Sequence, residues 1–125
     1  MKILLSIKPE FAESILNGYK KFEFRKTIFR NKEVRAVIIY ATMPVGKVIG
    51  EFEIEKVLSS QPDELWNMTK KYAGITRDFF DEYFSERDKG FAIAVKNPLR
   101  YDTPIPLNEL IPGAVPPQSF RYIRG

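Results

Sequence analysis

The chain contains no cysteine and no histidine in its 125 residues. Those two absences together exclude disulfide frameworks, zinc sites with thiolate or imidazole ligands, Ser-His-Asp triads and Cys-His dyads. Any chemistry falls to Lys, Arg, Asp, Glu, Ser, Thr or Tyr, and neither a metal nor a cofactor is expected. Long apolar runs are missing as well. None approaches the roughly 18 residues of a membrane span, and Met1-Lys2 opens no stretch of signal-peptide length. The expectation is a cytoplasmic protein with no membrane partner. The chain shows no internal repeat, linker or low-complexity segment.

What is present suits one folding unit. A content of 44% hydrophobic and 14% aromatic residues in 125 positions matches the roughly 100–150 residues of a typical domain, so residues 1–125 are read as a single domain. At this mass roughly two thirds of the extended chain's surface can be buried, enough for a core without staples. The 20 basic and 16 acidic side chains leave a net charge of +4, unevenly spread. Residues 1–50 hold 10 basic and 4 acidic, residues 51–99 hold 7 and 10, and residues 100–125 hold 3 and 2. A basic amino-terminal half concentrates phosphate-bearing ligands without selecting among them; it also serves simply as a solvated surface.

Hydrophobic spacing divides the chain into short elements. Ile3-Leu4-Leu5-Ser6-Ile7 reads as a buried strand, and Pro9 opens a helix that Asn17-Gly18 stops. Lys20 to Lys26 alternates strictly, with Phe22 and Phe24 on one face and Lys21, Glu23 and Arg25 on a charged outer face. Ala36 to Ala41 is apolar throughout, as in a strand covered on both sides. Lys47 to Leu58 alternates again, and Gly50 in mid-strand marks a bulge or a close approach. Ser60 is a candidate cap for a helix bearing Leu65 and Trp66 on its core side, and Thr76 for one bearing Phe79, Phe80, Tyr83 and Phe84. Phe91 to Val95 returns to strand character. Five of the nine prolines fall in residues 104–117, which read as a punctuated tail with one helical turn at Pro106 to Leu110. The fold class is α+β: a curled or closed sheet of five to six strands, a helix after the first strand, and a two-helix insertion.

Four stretches resemble one family in the order in which that family carries them. They are Ser6-Ile7-Lys8-Pro9 running through Gly18-Tyr19-Lys20-Lys21-Phe22-Glu23-Phe24-Arg25, then Tyr40-Ala41-Thr42 with Pro44, Val48-Ile49-Gly50-Glu51-Phe52, and Pro116 to Tyr122. The pattern resembles the ASCH domain of the PUA-like superfamily. The resemblance implies a β pseudo-barrel with a cleft between its first helix and the sheet, and a function in binding RNA or modified nucleotides, linked to RNA metabolism or transcription. Some ASCH proteins are enzymes. In the small acetylcytidine amidohydrolases a lysine and a threonine follow the same Gly-x; here the lysine is Lys20, and Glu23 stands where the threonine is expected. A carboxylate does not replace a hydroxyl nucleophile, though it can act as a general base.

The expected ligand site gathers Lys8, Lys20, Glu23, Arg25, Thr42, Gln118, Ser119 and Arg121. Arg25 carries a planar fork suited to phosphate or a base edge, and Gln118, Ser119 and Arg121 follow two prolines that restrict the chain. For each a plainer reading stands beside the functional one: a rim ion pair for Glu23 and Arg25, a snorkelling lysine at 8, a turn residue at 42, and a barrel-closing tail at 118–121. Tyr40 and Phe120 are read as core or as stacking rings, and Trp66 as core. Lys20 is out of parity with Glu23, so the strand either begins after it or bulges. Three readings follow. The protein binds RNA or a nucleotide; or it is a hydrolase acting on RNA or a modified nucleoside through Lys20 and Glu23; or its basic face meets an acidic protein. Oligomeric state is not legible.

Overall fold

The computed structural model describes residues 1–124. In chain order the elements are β1 (Lys2–Ile7), α1 (Pro9–Leu16), β2 (Phe22–Arg25), β3 (Ala36–Ala41), β4 (Lys47–Ser60), α2 (Pro62–Thr69), a 3-10 turn (Lys70–Tyr72), α3 (Arg77–Tyr83), β5 (Gly90–Ile105), α4 (Leu107–Leu110) and β6 (Phe120–Ile123). Among the described residues no helix is long and apolar enough to cross a membrane.

The six strands form one mixed sheet in the order β2-β5-β4-β3-β1-β6. Only β1 and β3 run parallel; the other neighbours are antiparallel. β3 is buried along its whole length, as its unbroken apolar sequence requires in the middle of a covered sheet. The ladder stays open between β2 and β6, yet the sheet curls far enough to bring its two edges together. The Arg25 guanidinium on β2 donates to the Ser6 carbonyl of β1 at 3.4 Å and to the Ser119 carbonyl, just before β6, at 2.7 Å. A side chain, rather than backbone pairing, spans the seam.

Gly50 is where the sheet cannot carry a side chain. The β4–β5 register shifts between Val48 and Gly50, and a Cβ at 50 would stand 2.6 Å from the Leu99 carbonyl and 2.8 Å from the Leu16 side chain of α1. α1 therefore lies directly on β4 and β5, and Arg100 fixes it there by pairing with Glu13 at 2.6 Å.

Three local expectations are corrected. Ser60 does not cap α2: it ends β4, Gln61 is the cap, and the Ser60 hydroxyl donates to the Glu64 carboxylate. β5 continues to Ile105, through residues assigned to the tail. It tolerates Pro98 and Pro104 because β2 pairs only with Phe91 to Ala94, which leaves the outer edge beyond that point free of a ladder. The charged row of β2 is not an outer face. Glu23 is 6% exposed, since the α2–α3 insertion folds back over β2.

That insertion has its own core. Phe24, Leu65, Ala73, Phe80, Phe84 and Ala92 form one buried cluster, with Phe24–Phe80 and Phe80–Phe84 in edge-on pairs at 5.2 and 4.8 Å. Trp66 packs against it at partial burial. The Thr76 hydroxyl caps α3 by accepting from the Phe79 amide at 3.1 Å, as its sequence position predicts.

Candidate functional site

Between α1, β2 and α3 lies a cavity of about 220 Å³ lined by Lys8, Phe11, Lys20, Glu23, Phe79 and Tyr83, with Ser6, Ile7, Phe24, Arg25 and Ile75. Its two helices meet through the edge-on contact of Phe11 with Phe79 at 5.2 Å. It is smaller than the roughly 300–1,000 Å³ of a typical drug-sized site, and suits one flat ring rather than an oligomer.

Lys20 precedes β2, which begins at Phe22, so its parity with Glu23 does not matter. Gly18, at φ +85°, turns the chain after α1, and the Lys20 amide is tied to the Ser14 carbonyl. The side chain then runs inward beside Gly74. A Cβ at 74 would lie 2.5 Å from Cβ and Cγ of Lys20, and its φ of +69° independently favours glycine. Nζ donates to the Ala73 carbonyl at 2.7 Å and stands 4.8 and 5.4 Å from the Phe24 and Phe11 ring centroids. Burial pushes its pKa down to about 8 against a smaller opposing pull from Glu23. Two of its three N–H donors have no acceptor among the described residues.

Glu23 shares the cavity without forming an ion pair to Lys20; its Oε2 instead accepts from Arg25 Nη1 at 3.3 Å. Burial raises its pKa, and Lys20 and Arg25 oppose that shift. Oε1 accepts no bond among the described residues. Among the described residues no fully buried side-chain oxygen or nitrogen lacks a partner, so Oε1 is reached from the cavity. Tyr83 stays neutral, because burial lifts its hydroxyl above the ordinary tyrosine range. Of the lining residues only Ser6 offers an alcohol hydroxyl, and it donates to the Pro117 carbonyl at 2.8 Å.

The residues singled out by sequence divide into two groups. Lys8, Lys20, Glu23 and Arg25 come together at the cavity. Thr42 sits in the β3–β4 turn, where its amide donates to the Ile7 carbonyl. Ser119 contributes its carbonyl to Arg25 and its hydroxyl to Thr27, while Gln118 and Arg121 are exposed; none of the four lines the cavity. Tyr40 is core, and Phe120 packs on Phe29 and Tyr122. Sequence reasoning missed Phe11, Phe79 and Tyr83 as cavity walls. The signal was present in the adjacent pair Phe79-Phe80. Neighbours on a helix cannot share a face, so with Phe80 in the core Phe79 must point elsewhere.

An ASCH domain model matches residues 5–100. The chain belongs to the ASCH domain family. An ASCH domain-containing ribonuclease of Zymomonas mobilis is 31% identical over 123 residues, covering 97% of this chain and 83% of that protein. The crystal structure of ASCH from Zymomonas mobilis superposes with a TM-score of 0.91 at 30% identity, over 98% of this chain and 87% of that one. The large ribosomal subunit protein uL22 of Ureaplasma parvum is 31% identical over 125 residues, but this chain spans only 39% of its length. The ASCH match includes α1, β2 and α3, hence every residue that lines the cavity.

Proposed function

We propose that this ASCH protein binds single-stranded RNA, or a nucleotide with a modified base, by taking one base into the cavity. The observation that carries the reading is the pairing of aromatic walls with unsatisfied polar groups. Phe11, Phe79 and Tyr83 offer ring surfaces, Lys20 has free donors, and Glu23 has a free acceptor, all in one recess. Unstacked RNA bases are held in just these two ways, by stacking and by hydrogen bonds along their edges. The Zymomonas relative's name as a ribonuclease agrees with an RNA ligand. Fluorescence anisotropy with short single-stranded RNAs is expected to show affinity falling as salt rises, with a logarithmic slope of roughly −0.7 per phosphate contacted. An absence of binding, or affinity indifferent to salt, would overturn it.

A second reading, hydrolysis of RNA or of a modified nucleoside, is favoured by the same relative and by the titration of the two buried groups. Lys20, lowered to about 8, and Glu23, raised by burial, are suited to exchanging a proton. Glu23→Gln is expected to lower kcat by roughly 10²–10⁴-fold, a loss far exceeding any change in KM. Undiminished kcat in that variant rules the reading out.

A further inference from the structure

The rim of the cavity carries a feature that neither reading uses. Phe79 and Tyr83 are four residues apart on α3 and so lie on one side of it, about one turn or roughly 5.4 Å apart along the axis. Each ring is covered by a different lysine: Lys8 Nζ stands 5.0 Å from the Phe79 centroid, and Lys26 Nζ 4.8 Å from that of Tyr83. Both lysines are exposed and neither forms an ion pair among the described residues. One follows β1 and the other follows β2, so the two cations reach α3 from separate strands. The cavity beside them is walled by Phe11, Phe79 and Tyr83 and at about 220 Å³ takes a single ring, so a nucleotide enters with its base first and its phosphates stay outside, near the exposed lysines.

Resting on the base-binding reading above, we infer that the cavity accepts an internal nucleotide of a strand, whose two flanking phosphates are held by Lys8 and Lys26. A spacing of one helical turn is of the order of the distance between successive phosphates in a single strand. The aromatic seat beneath each ammonium limits its motion and leaves its N–H donors directed outward. A free nucleoside uses only the floor of the site. A mononucleotide uses one lysine, and a strand uses both.

The test compares common nucleosides with nucleoside bisphosphates that carry a phosphate on each side of the ribose, by isothermal titration at low salt. Wild-type protein is expected to prefer the bisphosphate by roughly tenfold, about threefold from each of two exposed charge contacts. That ratio should fall by about threefold in Lys8→Met and in Lys26→Met, and to about one in the double variant. Methionine keeps an apolar chain over each ring, and both positions are exposed, so the fold is retained. If nucleoside and bisphosphate bind wild-type protein equally, or the double variant keeps the ratio, this inference falls while base binding stands. If wild-type protein binds neither compound, both fall.

Discussion

Arg25→Met is expected to lower the free energy of unfolding by about 3–5 kcal/mol near pH 8, the usual loss when one member of a buried ion pair is removed. The guanidinium and the Glu23 carboxylate are both largely buried, and Arg25 also holds the Ser6 and Ser119 carbonyls. Without it, Glu23 keeps a costly charge and the seam between β2 and β6 loses its bridge. The charge gives the prediction a pH dependence. A carboxyl whose folded pKa lies above its unfolded value binds more protons when folded, so its contribution is most favourable at acid pH and is lost as pH rises through the folded pKa. The penalty in Arg25→Met should therefore shrink towards pH 5. Adding Glu23→Gln should recover part of it at pH 8, leaving the unbridged seam. Urea titrations of the single and double variants at the two pH values decide this; a penalty of the same size at both, with no recovery in the double variant, would show that the pair carries no buried charge.

Lys20 should make the protein more stable in alkali. Its folded pKa of about 8 lies below the ordinary 10.5, so between those values the unfolded chain binds more protons than the folded one. Stability then rises with pH across that window and is flat below it. At 1.36 kcal/mol per pKa unit, the gain by pH 10.5 amounts to about 3 kcal/mol at most. Other groups titrate there too, so the measurement is the difference between wild type and Lys20→Met in urea midpoint at pH 7.5 and 10.5. The gap should change in favour of the wild type as pH rises. Parallel curves would mean that the ammonium is effectively solvated. At neutral pH, burial disfavours the ionised forms of both Lys20 and Glu23, a stability penalty that perturbed groups at functional sites commonly carry.

Much of this architecture is written locally. The Asn17-Gly18 stop, the apolar run of β3, the Thr76 cap and the special status of Gly50 each follow from a few adjacent residues, and the structure has all four. What escaped depends on distant chain. The alternation of β2 correctly separates Phe24 from Glu23 and Arg25, but alternation does not say which face meets water. That is decided by α3, more than fifty residues later, which roofs the charged row and converts a rim into a cavity. The same distance explains Lys20, whose burial is set by Gly74 and Ala73. The terminal segment escaped for another reason. Its contribution to Arg25 is the Ser119 carbonyl, a backbone group that residue identity does not announce.

The long outer edge of β5 has a bearing on how the molecule behaves in crowded solution. Past Val95, whose amide still reaches the Lys21 carbonyl, about ten residues of extended chain have no hydrogen-bonded neighbour strand on that side among the described residues. Unprotected, such a stretch is a template onto which a second copy can zip. Pro98 near its start and Pro104 near its end each delete an amide donor from it, and Asn97, at φ +48°, breaks its regularity. Pro98 and Pro104 thus act as guards against intermolecular sheet extension, and keep a sixteen-residue strand from becoming a seed for aggregation.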